Sequence, residues 1–187
     1  MIDDYDFLTT CDISGFIKED IRALVLYKSE INENKTVVDI NSGVGELSSE
    51  FSNIAKKVTI IDKNPMAIEF SKKNISKFGN IGKAEFINDD ELNGLDEIDN
   101  FDLAILKPKD ENIDEILERI HEKLNSKGKI IIITNIMDFF INSVNKLSDL
   151  LYNPKITQVN ISNGQLLNKG VKMESQNPMI IITVKKR

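Results

Sequence analysis

The chain has 187 residues, 41% of them hydrophobic and 29% charged, with 24 Lys and Arg against 30 Asp and Glu for a formal net charge of −6. That length suits one domain with a proper core and is too short for two large ones. No apolar run approaches the roughly 20 residues that span a bilayer, and the acidic balance argues against unaided binding to a nucleic-acid backbone, which needs clustered Lys and Arg.

The N-terminus, Met1-Ile-Asp-Asp-Tyr-Asp, lacks the basic start of a secretory signal, so a cytoplasmic location is expected. Cys11 is the one cysteine and His121 the one histidine. An internal disulfide is therefore impossible, and without a Cys/His cluster no metal is expected. His121 lies in an acidic helical stretch and reads as a solvated side chain.

An opening helix from about Ile17 to Glu30 carries Ile21, Leu24 and Val25 on one face. A strand at Thr36–Ile40 runs into the turn Asn41-Ser42-Gly43-Val44-Gly45, and a helix continues to about Ala55. The second strand is Val58–Asp62, after which Asn64-Pro65 reads as a helix N-cap with proline in the first turn. That helix places Ile68, Ser71, Ile75 and Phe78 along one stripe. Strands follow at Ala84–Ile87 and Phe101–Leu106, then a helix Glu111–Asn125 ended by Ser126-Lys127-Gly128. Lys129–Thr134 is the most continuous apolar strand and belongs at the centre of a sheet covered on both faces. A helix with Phe140, Val144, Leu147 and Leu151 inward precedes two last strands, Lys155–Ile161 and Met179–Lys185.

Alternating strands and helices imply an α/β fold, Rossmann-like and doubly wound, with a mostly parallel seven-stranded sheet. The two final strands, with no helix between them, suggest an antiparallel edge. The chain divides into an N-terminal helical segment (1–32), a cofactor-binding core (33–153) and C-terminal strands (154–187). Ser162–Pro178 is long for a connection and reads as a projecting arm for a subunit contact or a substrate lid.

Ligands of such sheets sit outside the carboxyl ends of the strands. The glycines of Asn41–Gly45 let backbone turn tightly there, and the helix N-terminus that follows favours a negatively charged group. Asp62 ends the second strand and can accept hydrogen bonds from both hydroxyls of a ribose. It follows Gly45 by seventeen positions, close to the roughly 20 expected between glycine turn and acid. Asp89-Asp90 follows the third strand, where one carboxylate could meet an adenine amino group. A dinucleotide fingerprint would place glycine where Ser48 stands and would not normally include Asp39. Asp39 before the turn, with Asp62 after it, fits S-adenosylmethionine, which makes this a class I methyltransferase fold. The cofactor-binding candidates are Asn41, Ser42, Gly43, Val44, Gly45, Asp62, Asp89 and Asp90.

With these residues placed, the chain resembles the decarboxylating cobalt-precorrin methyltransferases of cobalamin biosynthesis, archaeal members in particular, over nearly its whole length. The anchors are Gly15, Arg22, Val38-Asp39, Gly43, Gly45, Ile61-Asp62-Lys63-Asn64-Pro65, Asp89, Asp102, Gly128 with Ile130-Ile131, and Asn177-Pro178. The resemblance implies methylation of a carbon of a tetrapyrrole corrin precursor, loss of carbon dioxide from an acetate side chain, and a homo-oligomer, a tetramer in the family. A conjugated tetrapyrrole is its own electron sink, so the protein mainly aligns two partners, and no strong base stands out.

The chain departs from the family pattern on the substrate side. Ile17 replaces a threonine, Asn41 a glycine, Phe139 an acid and Asn163 an arginine, and Lys107-Pro108-Lys109-Asp110-Glu111 replaces a glycine-rich loop. Asparagine tolerates left-handed angles, so the turn at 41 survives. Lys107, Lys109 and Asn135 are the substrate-binding candidates, the lysines either salt-bridging substrate carboxylates or solvated in a loop. Three readings stay open: the corrin-precursor enzyme, a methyltransferase for another small acidic substrate, and a non-catalytic binding or assembly partner.

Overall fold

A computed structural model describes residues 1–110 and 112–187. The elements run α1 (Glu19–Ser29), β1 (Thr36–Ile40), α2 (Glu46–Ile54), β2 (Lys57–Ile61), α3 (Pro65–Phe78), β3 (Ala84–Ile87), α4 (Glu91–Asp96), β4 (Phe101–Leu106), α5 (Ile113–Lys123), β5 (Leu124–Thr134), α6 (Met137–Asp149), β6 (Lys155–Val159), β7 (Ser162–Leu167), β8 (Gly170–Ser175) and β9 (Met179–Lys185). Seven strands form one sheet in the order β3-β2-β1-β4-β5-β9-β6, and β9 pairs antiparallel with both of its neighbours.

The isoleucine run of β5 shows why strands covered on both faces read as continuously apolar. Ile130 and Ile132 pack with Ile116, Leu117, Ile120 and Leu147 of α5 and α6. Ile131 and Ile133 pack on the other face with Val25, Leu47, Phe51 and Ile75 of α1, α2 and α3. The pleat sends successive side chains to opposite faces. Burying each such side chain is worth roughly 1.5–3 kcal/mol, so the two layers hold the sheet from both sides and fix its register.

Asn64 caps α3, its side chain accepting from Met66 N, with Pro65 in the first turn. The opening helix starts at Glu19, not Ile17, because Lys18 is extended and forms its N-cap; Ile17 lies outside it and donates its N–H to the buried Glu46 carboxylate. The expected start of α5 at Glu111 lies outside the described residues, and the helix ends at Lys123. Ser126-Lys127-Gly128 does not stop a helix. It lies within β5, where Lys127 takes φ 63° and the pairing with β4 shifts register.

The two last strands form the expected antiparallel edge, with β6 outermost and β9 inserted between it and β5. The 162–178 arm is a β7–β8 hairpin forming its own two-stranded sheet. Its Leu166, Leu167, Val171 and Met173 are exposed.

Candidate cofactor site at the carboxyl ends of the strands

The site grows from the tips of β1, β2 and β4, which lie side by side. Asn41, just beyond β1, adopts φ 59° and the glycines at 43 and 45 adopt 65° and 77°. The left-handed conformation that asparagine tolerates is thus present. Asn41 is also held by its side chain, whose Nδ2 donates to Glu91 Oε1 at 2.8 Å and to the Lys107 carbonyl at 3.0 Å.

The two glycines serve different ends. A Cβ on Gly45 would fall 2.8 Å from Ser71 Cβ, so this glycine lets the turn close on α3. A Cβ on Gly43 would stand 3.6 Å from Lys107 Nζ and 3.8 Å from Glu46 Oε2, so this one opens onto a buried charged cluster.

That cluster underlies the turn. Asp39, Glu46, Asp62, Glu91 and Lys107 are all buried. Glu46 Oε1 accepts from Lys107 Nζ and from Ile17 N, each at 3.1 Å, and Lys107 Nζ also donates to the Ser42 carbonyl at 2.6 Å. Burial alone would lower the Lys107 pKa, but the carboxylates of Glu46 and Asp39 outweigh it and hold the ammonium above its ordinary range.

Asp39 Oδ2 accepts from Ser48 Oγ at 2.5 Å. Burial pushes the Asp39 carboxyl up to about 6; Lys107 and Ser48 oppose that rise, while Glu46 and Asp62 add to it.

Asp62 is bonded on both oxygens. Oδ1 accepts from Asn64 N at 3.0 Å, while Oδ2 accepts from Gly43 N at 3.0 Å and from Lys109 Nζ at 3.2 Å. Its tip therefore joins β2 to the turn after β1. Asp89 and Asp90 sit at the start of α4. Asp90 caps that helix through Asn93 N, and Asp89 Oδ1 accepts from Asp90 N and Asn93 Nδ2.

Lys107 and Lys109 are not solvated loop residues. Both turn inward, and Lys107 is committed to protein partners rather than open to a substrate. Asn135 is exposed on a bend after β5. His121, expected to be solvated, is half-buried and meets the Tyr152 hydroxyl through Nδ1 at 2.9 Å. It borders a cavity of about 1060 Å³ at the opposite end of the sheet, with Lys129 and Lys186. That cavity lies away from the glycine turn and from the carboxylate cluster.

Sequence reasoning missed Glu46 and Glu91. The only signal for Glu46 was its place in the first turn of α2, where an acid is favoured by the helix dipole. For Glu91 there was none, because α4 itself was not foreseen. Asp102, an anchor of the resemblance, is structural. It bonds Thr36 N, Lys35 and Asn125, and these contacts outweigh burial to hold its carboxyl below the ordinary range.

Among the described residues, four buried polar atoms around the turn have no hydrogen-bond partner: Asp39 Oδ1, Asn41 Oδ1, Ser42 Oγ and Glu46 Oε2. Leaving such an atom unpaired costs about 1–3 kcal/mol. Their concentration at one turn marks a place shaped for a polar ligand. Two carboxylate oxygens suit an ammonium, and the Asp62 carboxylate suits a diol. The residues present thus fit a nucleoside joined to an amino acid, as in S-adenosylmethionine.

A doubly wound sheet with one antiparallel strand beside β5, a glycine turn after β1 and an acid after β2 defines the class I methyltransferases. The comparisons agree. The methyltransferase small domain family model matches residues 19–158. A relative from Methanobrevibacter smithii, named probable cobalt-precorrin-6B C(15)-methyltransferase (decarboxylating), is 48% identical over 187 residues and all of both chains. The crystal structure of a precorrin 8W decarboxylase from Methanobacterium thermoautotrophicum superposes with a TM-score of 0.94 at 28% identity, covering 98% of this chain and 99% of the other. A precorrin-6Y C5,15-methyltransferase from Geobacter metallireducens gives a TM-score of 0.92 at 26% identity, covering 100% and 98%. The chain belongs to the methyltransferase small domain family, in the group of the decarboxylating cobalt-precorrin-6B C(15)-methyltransferases.

Proposed function

We propose that the protein transfers a methyl group from S-adenosylmethionine to the C15 position of a cobalt-precorrin and assists loss of carbon dioxide from the same substrate. The full-length 48% identity to the M. smithii relative supports this reading, and the buried acceptors at the glycine turn carry its cofactor half. When bound, the cofactor supplies a methyl group already activated by a sulfonium.

The chain's own residues bind and orient. Asp62 holds the ribose hydroxyls, and Asn41, Ser42, Gly43, Val44 and Gly45 hold the methionine end, whose ammonium the free oxygens of Asp39 and Glu46 suit. Asp89 and Asp90 face the adenine side. Lys109 and Asn135 lie toward the acidic tetrapyrrole, while Lys107 serves as the counter-ion of the buried acids. Alignment of two reactive partners is the principal task left to the protein. We propose that copies of the chain meet through the β7–β8 arm to form a homo-oligomer, a tetramer in the family that the sequence resembles; the arm's exposed Leu166, Leu167, Val171 and Met173 support this reading.

Calorimetric titration with S-adenosylhomocysteine tests the cofactor half. Asp62→Ala is expected to weaken binding about tenfold or more, from the lost charge-assisted bonds. A variant that binds as tightly as the parent removes Asp62 from the site.

A further inference from the structure

Two ion pairs cross above the glycine turn. Asp62 and Lys63, beyond β2, face Lys109 and Asp110 in the loop after β4. Lys109 Nζ lies 3.2 Å from Asp62 Oδ2 and Lys63 Nζ lies 2.5 Å from Asp110 Oδ2. In the sheet, β1 runs between β2 and β4, so the paired tips straddle the Asn41–Gly45 turn.

The pairs differ in burial. Lys63 and Asp110 are about half exposed, at 51% and 44% of their side chains, where an ion pair contributes little. The Asp62 side chain is fully buried and that of Lys109 is 30% exposed. Lys109 is therefore the member that can leave toward water. Lys107, at 8% exposure, is enclosed by Glu46 and the Ser42 carbonyl and stays.

We infer that Lys109 is a substrate-recruiting cation held in reserve on Asp62. A ribose diol arriving at Asp62 displaces the ammonium, which then takes a carboxylate of the acidic substrate at the mouth of the site. The inference rests on the reading of Asp62 as the ribose acceptor. Three hydrogen bonds already reach the Asp62 carboxylate, which offers about four lone-pair sites. The two from Gly43 N and Asn64 N are backbone bonds that shape the turn. The third comes from an ammonium on a flexible four-carbon stem, so it is the partner that yields.

Once displaced, Lys109 finds the acid beside it in its own loop, Asp110, already paired with Lys63. Its charge is left at the mouth of the site, where a substrate carboxylate can satisfy it. Cofactor and acidic substrate then bind with positive coupling, since the first frees the group that holds the second. Lys109, in the loop that stands where the family has glycines, thereby becomes an anion selector armed by cofactor binding.

Titrations with S-adenosylhomocysteine and with uroporphyrin, a tetrapyrrole polycarboxylate, test this on the parent and on Lys109→Met, Lys109→Arg and Asp62→Asn. Lys109→Met is expected to bind S-adenosylhomocysteine about tenfold tighter than the parent, because the ion pair that must open is gone. Raising salt is expected to tighten the parent's binding, by screening the pair, and to leave Lys109→Met unchanged. In the parent, saturating S-adenosylhomocysteine is expected to raise uroporphyrin affinity about fivefold or more; Lys109→Met loses that gain and Lys109→Arg keeps it.

Equal S-adenosylhomocysteine affinity in the parent and Lys109→Met, or no effect of S-adenosylhomocysteine on uroporphyrin binding in the parent, overturns the inference. Unchanged S-adenosylhomocysteine binding in Asp62→Asn overturns the ribose assignment itself. That outcome is distinct from a site that needs Asp62 but is indifferent to Lys109.

Discussion

Asp39→Asn isolates the cost of an ionised carboxylate in the buried cluster. Asp39 is fully buried, bonded to Ser48, and raised from an ordinary value of 3.8 to about 6, chiefly by burial. At about 1.4 kcal/mol for each tenfold change in proton affinity, that displacement is worth about 3 kcal/mol. A carboxyl that holds its proton more tightly when folded stabilises the native state below the unfolded value. The contribution is lost as pH rises through the folded value, so the window is about pH 4 to pH 6. Asparagine keeps the shape and never ionises.

Urea unfolding of both proteins across pH 4–7.5 gives the difference directly, and contributions from other titrating groups largely cancel in it. Because pH 4 already lies above the unfolded value, the stability of Asp39→Asn relative to the parent is expected to climb by about 2 kcal/mol between pH 4 and pH 7. A difference that stays flat over that range refutes the reasoning. It would mean that Lys107 already compensates the charge in full.

Two further predictions concern stability. Gly45→Ala forces a side chain into φ 77° and within 2.8 Å of Ser71 Cβ, and is expected to cost about 2–3 kcal/mol in urea unfolding; a cost below about 0.5 kcal/mol would show that α3 yields freely. Arg22→Met removes a buried guanidinium that pairs with Asp4 and Glu50 and lies 4.9 Å over the Phe7 ring. A loss of about 3 kcal/mol is expected, with earlier proteolytic cleavage in residues 1–17, and unchanged cleavage would disconnect Arg22 from that segment.

The parts of the fold and site that were legible in the sequence are those specified locally. The Val37–Gly45 run announces a strand and its turn because both come from contiguous residues. Asn64-Pro65 announces a helix start for the same reason, and Asp62 is located by its distance from the turn. The illegible parts depend on partners far away in the chain.

Lys107 points inward because Glu46, sixty-one positions earlier, needs a counter-ion. No pattern around Lys107 carries that information. Gly43 and Gly45 look alike in sequence, yet one meets Ser71 of α3 and the other the charged cluster. Ser126–Gly128 has the composition of a helix stop, but the helix ends earlier, at Lys123, and these residues fill the irregular stretch of β5 between its pairings with β4 at Leu124 and Lys129. The insertion of β9 is likewise set by the cross-strand partners of its isoleucines.

The placement of β9 also bears on how the protein is made. Synthesis reaches this strand after all the other elements described, yet it occupies an interior lane of the sheet, and β6 meets the sheet only through it. Until residues 179–185 are available, β5 presents one side of its four-isoleucine stretch as an open, uncharged edge, the kind of edge that recruits foreign strands. A nascent or C-terminally clipped chain thus carries a sticky half-sheet that the finished chain seals, and expression at high level will tax chaperones during that interval.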